Sequence, residues 1–520
     1  MPTGWASPCP QPKGPDVARK RPNIVILMAD QLGASALGTY GHPMVRTPHI
    51  DSLAGRGAVF DNFYSSFPLC APARLALMTG RLCSNIQAWD NAAQIPSDIP
   101  TFAHYLRVMG YRTCLSGKMH FIGPDQLHGF EERVTTDICP SDFNWTADWD
   151  DPWRTMDWFH DMKNVSNAGI AERALQQDYD EEVAHNARRW IFDQARDPDP
   201  RPFLMVASFT HPHDPYVTPQ KFWDLYRHDD ITMPRVPFIP PAQRDPHSRR
   251  LWEQYDRGEF GVGDDHVRNA RHAYYGSVSY LDERVGEVLE ALTRARLMDD
   301  TVVLFLADHG DMLGERGLWY KMSFYDWSAR VPLIMAGPGV PQTRIRANAG
   351  LVDILPTLVD LANDGTFEGY PDPPDGQSLL PLFTDDAGDR IAVSELLSEG
   401  VAAPYVMLRK GRFKLTYVEL DGPQLYDMEA DPDEVADLAG DPTHAEILAD
   451  MLAEVQRRWD MPRLSREIIA SQRRRRLVYK ALTTGRITPW DYQPWSDASL
   501  QYYRSTRPYH EAEARDLLRP

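Results

Sequence analysis

The sequence predicts an α/β fold built around a largely parallel sheet. Three observations carry that expectation: short uninterrupted apolar strands, long amphipathic stretches between them, and polar residues gathered where the strands end. The first strand is Asn23–Ala29 (NIVILMA), a β-branched and apolar run that stops at Asp30. The same format recurs at Arg112–Leu115, which leads into Ser116-Gly117-Lys118-Met119-His120. It recurs again at Phe203–Phe209 before Thr210-His211-Pro212-His213-Asp214, and at Thr301–Ala307 before Asp308-His309-Gly310-Asp311. Val331–Ala336 closes with Gly-Pro-Gly. Asp178–Asp193 and Ala273–Ala295 supply the amphipathic helices. Ligands of open α/β sheets bind beyond the carboxyl ends of the strands, so four polar strand ends point to an active site.

The remaining organisation follows from texture. Residues 1–20 form a flexible Pro-rich lead, and residues 21–385 a catalytic domain. Residues 386–470 form a smaller antiparallel subdomain, with strands at Met407–Lys414 and Phe413–Tyr417, a hairpin turn at Asp421-Gly422 and a helix at about Thr443–Trp459. Residues 471–520 form an aromatic, turn-rich arm that opens with Arg473–Arg476, a run expected to be solvated or to lie at an interface.

Composition bounds the class. A chain of 520 residues, 42% hydrophobic and 25% charged, has ample core and is not broadly disordered. No apolar run approaches the roughly 18 residues of a membrane span. The N-terminal segment lacks the apolar centre of a secretory signal. The five cysteines are too scattered for a disulfide framework, which favours a soluble cytoplasmic protein with no membrane partner. A net charge of −19 argues against nucleic acid as a partner.

The segment Pro68-Leu69-Cys70-Ala71-Pro72-Ala73-Arg74 carries the most chemistry. Pro72 suits the first turn of a helix continued by Leu75–Met78, so Cys70 sits where backbone N–H groups and the helix dipole favour an anion. Two readings stand from the residues alone: a buried structural thiol, or a cysteine nucleophile with a histidine base. Cys9, Cys83, Cys114 and Cys139 read as structurally bland.

Cys-x-Pro-x-Arg is the signature of the sulfatase family, and the surrounding chain resembles that family in order. Arg21-Pro22-Asn23-Ile24 through Asp30 is similar to its opening strand, and Thr47–Ala54 to the segment that follows. Gly117-Lys118-Met119-His120 matches the Gly-Lys-x-His element, and Ala307–Asp311 the metal-binding strand end. Within the family, the Pro-Leu-Cys-Ala-Pro-x-Arg wording and Phe143–Trp149 resemble choline sulfatases. So does the tail, with Arg475–Tyr479, Thr488–Pro494 and Asp497-Ala498-Ser499. Phosphonate monoester hydrolases share the core with a different tail.

The resemblance implies an alkaline phosphatase-like architecture: a large mixed, mostly parallel sheet flanked by helices, a smaller C-terminal α+β subdomain and an extended tail. It implies a formylglycine-dependent sulfuric ester hydrolase acting on choline-O-sulfate. The alternatives are a phosphonate monoester or phosphodiester hydrolase and a broader aryl or alkyl sulfatase. One divalent cation would be held by Asp30, Asp308, His309 and the modified Cys70, with Ca²⁺ first and Mn²⁺ or Mg²⁺ as rivals. Gln31 stands where many family members carry a second acidic ligand. Arg74 would reach back to the aldehyde hydrate, and Lys118 would bind sulfate. His120 would take the hydrate's second proton, and His213 with Lys321 would hold sulfate and protonate the leaving alkoxide. His211 competes with His213 for that role. Lys118 and His120, two apart, point the same way if the chain stays extended.

The remaining expectations concern the substrate. Asn91 would contact sulfate or orient the hydrate. A quaternary ammonium is held by aromatic faces and carboxylates. Trp145 is either that aromatic face or a core residue, and Glu399 and Asp497 are either its anionic partners or solvated surface. Maturation calls for a formylglycine-generating enzyme, and the tail suggests a homo-oligomer, dimer or tetramer, with tail exchange.

Overall fold

The computed structural model describes residues 21–486 and Trp490, apart from 155, 157, 200, 256–259, 366 and 385–389. In chain order the strands begin with β1 (Asn23–Asp30), β2 (Ala58–Tyr64), β3 (Arg112–Gly117) and β4 (Glu132–Thr135). A short ribbon pairs β5 (Gly169–Ile170) with β7 (Val217–Thr218), on either side of β6 (Phe203–Pro212). Then come β8 (Thr301–Ala307), β9 (Leu333–Ala336) and β10 (Thr343–Gly350). The C-terminal subdomain supplies β11 (Ile391–Leu396), β12 (Tyr405–Lys410), β13 (Phe413–Val418) and β14 (Gly422–Asp427).

Eight strands form the main sheet in the order β10-β2-β9-β8-β1-β6-β3-β4. Only β9 runs antiparallel, against both β2 and β8, so the sheet is mixed and mostly parallel. Ile24–Ala29 are wholly buried, as expected of a central strand covered on both faces. Each buried aliphatic side chain there contributes roughly 1.5–3 kcal/mol. Helices Leu175–Arg196 and Asp264–Arg294 pack on each other and on β6; both outrun the stretches legible in the sequence.

Register delivers the site. Parallel pairing of Ala29 with Ala307 puts the next residues, Asp30 and Asp308, level at adjoining strand ends. Gly117 pairs with Ser208, which brings the ends of β3 and β6 to the same edge.

The second sheet is antiparallel in the order β11-β12-β13-β14, covered by the helix Ala445–Arg458. The expected strand Met407–Lys414 is in fact broken. Lys410 pairs with Phe413 across a two-residue turn, and Gly411 there has φ +52°, a backbone that glycine adopts without strain. The buried ammonium of Lys414 ties this sheet to the body through Asp326 at 2.7 Å and through Glu434.

The boundary expected at 470/471 falls inside an unbroken helix, Met461–Leu482. Asp460 caps it by accepting from Arg463 N–H, and Pro462 sits in its first turn. Gln472, Arg475, Arg476 and Tyr479 share its inner face at helical spacing, so the arginine run is not a uniformly solvated stretch. Arg475 is buried and forks onto Asp90 at 2.6 and 2.9 Å. The boundary expected at 385/386, the lead and most of the arm, including Asp497, lie outside the described residues.

Candidate active site

Cys70 opens the helix Cys70–Thr79, all of whose residues are buried, and Gly80 ends it in the left-handed conformation. The first-turn N–H of Ala71 donates to Asn91 Oδ1 at 2.9 Å, so Asn91 satisfies a helix-start donor beside Cys70. Cys70 Sγ lies 3.2 Å from His309 Nε2 and 3.8 Å from Asp30 Oδ1. Donor atoms of Asp30, Cys70, Asp308 and His309 all fall within 4.8 Å of one another, and all four residues are buried. Two hard carboxylates, an imidazole and the position-70 side chain make a donor set that fits a divalent cation.

Arg74, one turn beyond Cys70, threads between the carboxylates. Its Nε donates to Asp308 Oδ2 at 2.9 Å and its Nη2 to Asp30 Oδ2 at 3.2 Å. Its Nη1 donates to Ser208 Oγ at 2.8 Å and to the carbonyl of Lys118. Lys118 pairs with Asp30. Burial pushes the Asp30 carboxyl up, but Lys118, His213 and Arg74 outweigh it and hold the group at about 2. Burial likewise opposes ionisation of the Cys70 thiol, yet Lys118, Lys321 and His309 bring it well below its ordinary range.

Lys118 and His120 both line one cavity, but not by extended alternation: Gly117 has φ +109° and His120 +58°, so the chain turns there. Gln31, Tyr320 and Met322 also have left-handed backbones, flanking Asp30 and Lys321. Such strain costs roughly 1–3 kcal/mol per residue and collects at functional sites. Both ring nitrogens of His120 are buried without a hydrogen-bond partner.

The two competing histidines are separated by geometry. His211 Nδ1 is bound to Asp180 at 2.7 Å, and its ring packs on Tyr280. His213 faces the cavity, with Nε2 2.8 Å from Lys321 Nζ and Nδ1 2.8 Å from Asp214 O. Lys321 also donates to Gln31 Oε1 at 2.6 Å, while Gln31 Nε2 donates to Asp311 at 2.6 Å. Gln31 is thereby engaged with Lys321 and Asp311.

The cavity measures about 280 Å³. Cys70, Lys118, His120, His213 and Lys321 line it. Trp145, Trp158, Phe159, His160 and Glu399 also line it, and the edge of Trp145 meets His120 at a centroid distance of 5.5 Å. Burial pushes the Glu399 carboxyl up to about 7. A larger cleft of about 590 Å³ lies elsewhere, but its charges are paired, Arg390 with Asp353 at 3.1 Å and Arg458 with Glu454 at 2.6 Å.

A model of the sulfatase family matches residues 22–364, more than half of the chain. The chain belongs to the sulfatase family. A second model, the choline sulfatase enzyme C terminal, matches residues 466–516. The sulfatase is 46% identical to a choline-sulfatase of Rhizobium meliloti over 493 residues, covering 93% of this chain and 96% of that protein. It is 29% identical to arylsulfatase K of Gallus gallus, covering 84% and 82% of the two chains. Its fold matches a putative sulfatase from Bacteroides thetaiotaomicron with a TM-score of 0.63 at 26% identity, covering 89% and 94%. It also matches a phosphonate monoester hydrolase from Silicibacter pomeroyi with a TM-score of 0.66 at 24% identity, covering 84% and 94%, a likeness of fold alone. The family implies a divalent cation and formylglycine. Among the described residues, no helix of the sulfatase is long and apolar enough to cross a membrane.

Sequence reasoning missed part of this cavity. Trp158, Phe159 and His160 sit in an irregular segment with no periodicity to betray them. Cys139, expected to be bland, is a free thiol that lines the cavity with Lys118 and His120. No pattern in the sequence marks it; in the structure Asp137, two residues earlier, accepts the backbone N–H groups of Met119 and His120.

Proposed function

We propose that this sulfatase hydrolyses choline-O-sulfate to choline and sulfate, using formylglycine formed from Cys70. The observation that carries the reading is the mixed lining of the cavity. Lys118 and Lys321 suit a sulfate; aromatic rings and the carboxyl of Glu399 suit a quaternary ammonium. The 46% identity to a protein named choline-sulfatase supports it.

Hydrated formylglycine supplies two hydroxyls, one to attack sulfur and one whose deprotonation lets sulfate leave by C–O cleavage. Cys70 Sγ stands in for those oxygens. Asp30, Asp308, His309 and residue 70 would hold the cation, which neutralises sulfate oxygens and acidifies the hydrate. We assign Ca²⁺, with Mn²⁺ as the rival favoured by the His309 nitrogen and Mg²⁺ as the third candidate. Arg74 orients the attacking oxygen, and Lys118 holds sulfate. His120, with both ring nitrogens unpartnered, takes the second proton of the hydrate. His213 and Lys321, paired at 2.8 Å, hold the opposite sulfate oxygens and deliver a proton to the choline oxygen as the S–O bond breaks. Asn91 fixes the helix start beside the hydrate, and Trp145 and Glu399 take the ammonium.

Asp497 of the arm, exchanged between subunits of a homo-oligomer, belongs to the same reading. Free cysteines at 70, 83, 114 and 139 support a reducing, cytoplasmic location and a thiol open to a formylglycine-generating enzyme. The alternative, a phosphonate or phosphate diester hydrolase or a broad aryl sulfatase, gives Glu399 no role. Initial rates on choline sulfate, 4-nitrophenyl sulfate and an aryl phosphonate decide between them. A higher kcat/KM on the phosphonate than on choline sulfate overturns the proposal.

A further inference from the structure

Two cavity residues, Asn91 and Trp145, each adjoin a residue bonded to the helix Met461–Leu482, and a third, Glu399, adjoins Ser398, which is reached through Trp149. Gln472 Oε1 accepts the backbone N–H of Trp149 at 2.8 Å. Trp149 Nε1 in turn donates to Ser398 O at 2.8 Å, immediately before Glu399. Gln472 therefore pins the segment that carries Trp145 and, through Trp149, the one that carries Glu399. Its own Nε2 is buried without a partner, so the carbonyl is the working half of this amide.

One turn on, Arg475 holds the other end. Its two-pronged bond to Asp90 is buried, and Asp90 Oδ1 also accepts Ala92 N–H at 3.0 Å. A guanidinium–carboxylate fork is geometrically strict, which makes it a good positioning device. The next residue, Asn91, binds the first turn of the helix that begins at Cys70. The exposed pair of Arg473 with Asp150 adds little by comparison, and half-buried Arg476 pairs with Asp148 and Asp150.

We propose that Gln472 and Arg475 are positioning residues for opposite ends of the substrate. Gln472 places the ammonium wall through Trp149, and Arg475 acts chiefly on the sulfate-binding residues through Asp90 and Asn91, with a longer 3.4 Å bond to Thr146 Oγ1 beside Trp145. The C-terminal helix thereby sets both the selectivity and the rate of the site. The inference rests on the choline sulfate reading.

The experiment uses the full chain and three probes: choline sulfate turnover, inhibition by choline and inhibition by inorganic sulfate. Gln472→Met should weaken choline inhibition and raise KM about 10-fold, leaving kcat and sulfate inhibition within about 3-fold. Arg475→Gln should lower kcat and weaken sulfate inhibition about 10-fold, with choline inhibition within about 3-fold, and Arg475→Lys should recover part of the loss. Should Arg475→Gln fail to fold because Asp90 is left buried and unpaired, Asp90→Asn/Arg475→Gln removes both charges and is read in its place. Equal effects of both variants on both inhibitors, or no effect, overturn the positioning roles and leave the helix merely structural. A wild-type protein that does not turn over choline sulfate overturns the substrate reading; turnover with unsplit variants overturns this inference alone.

Discussion

Gln31 and Lys321 are joined by a 2.6 Å hydrogen bond from Lys321 Nζ to Gln31 Oε1, while the other half of the same amide donates to Asp311 at 2.6 Å. A carboxamide accepts from an ammonium through its oxygen and donates to a carboxylate through its nitrogen, which an ionised carboxylate in its place cannot do. A carboxylate in place of this amide would face Asp311, and Asp214 at 3.3 Å, with like charge. Burial already pushes Asp311 up to about 6. Gln31→Glu is expected to lower stability by on the order of 2 kcal/mol or more, read as a lower melting temperature at pH 8. An unchanged melt would mean that the amide carries no such load.

Conversion of Cys70 to formylglycine lowers the mass of its peptide by about 18 Da. Protein from its native host should show that loss, and Cys70→Ala should lower kcat at least ~1,000-fold with the melting temperature retained. Fully unmodified cysteine in active native enzyme would contradict the mechanism.

Trp145 lines the cavity beside His120. A cation–π contact in a desolvated site is worth about 1–2 kcal/mol, so Trp145→Ala should raise KM for choline sulfate roughly 10-fold. KM for 4-nitrophenyl sulfate should change less. Equal rises would remove Trp145 from the ammonium wall.

The proposed ammonium contact of Glu399 makes binding pH-dependent. With its carboxyl pushed up to about 7 by burial, the anionic form is lost as pH falls below neutrality. KM for choline sulfate should therefore rise on acidification, and Glu399→Gln should flatten that rise at a uniformly higher KM. Stability runs the other way. The raised folded value means the stabilising protonated state is fully present below about 4.5 and lost as pH rises through about 7. At pH 8 the Gln variant, free of substrate, should be more stable by on the order of 3 kcal/mol. A less stable variant would overturn this account.

Asp30 and Asp308 lie side by side, balanced by Arg74, Lys118 and His309. Chelation should lower the melting temperature and restoring a divalent ion should raise it, by about 2.7 kcal/mol at 100 times the dissociation constant. The ion that restores most, among Ca²⁺, Mn²⁺ and Mg²⁺, identifies the native metal. A melt indifferent to chelator would argue against a bound cation.

The metal- and sulfate-binding part of this site was legible because its parts are local. Asp30 and Asp308 directly follow apolar strands, and Cys70, Pro72 and Arg74 share one helical turn, so a few adjacent residues announce each element. The ammonium wall was only partly legible. Trp145 and Glu399 were candidates, but Trp158 and Phe159 come from an irregular segment in which no period of 2 or 3.6 distinguishes lining from filling. Arg475 was hidden inside four consecutive arginines, and only the helix phase separates the buried one from its exposed neighbours.

From sequence alone came the sheet, the reactive cysteine and the acidic strand ends, because strand propensity, helix capping and burial act over a few neighbouring residues. Tertiary structure alone decided which histidine of His211 and His213 faces the cavity, where Gln31 turns its amide, and that Cys139 joins the wall. It also decided that Arg475, 385 residues away in sequence, holds Asp90. Such choices depend on which groups meet once distant segments pack, and the cost of leaving a buried charge or hydrogen bond unpaired is settled only at those meetings.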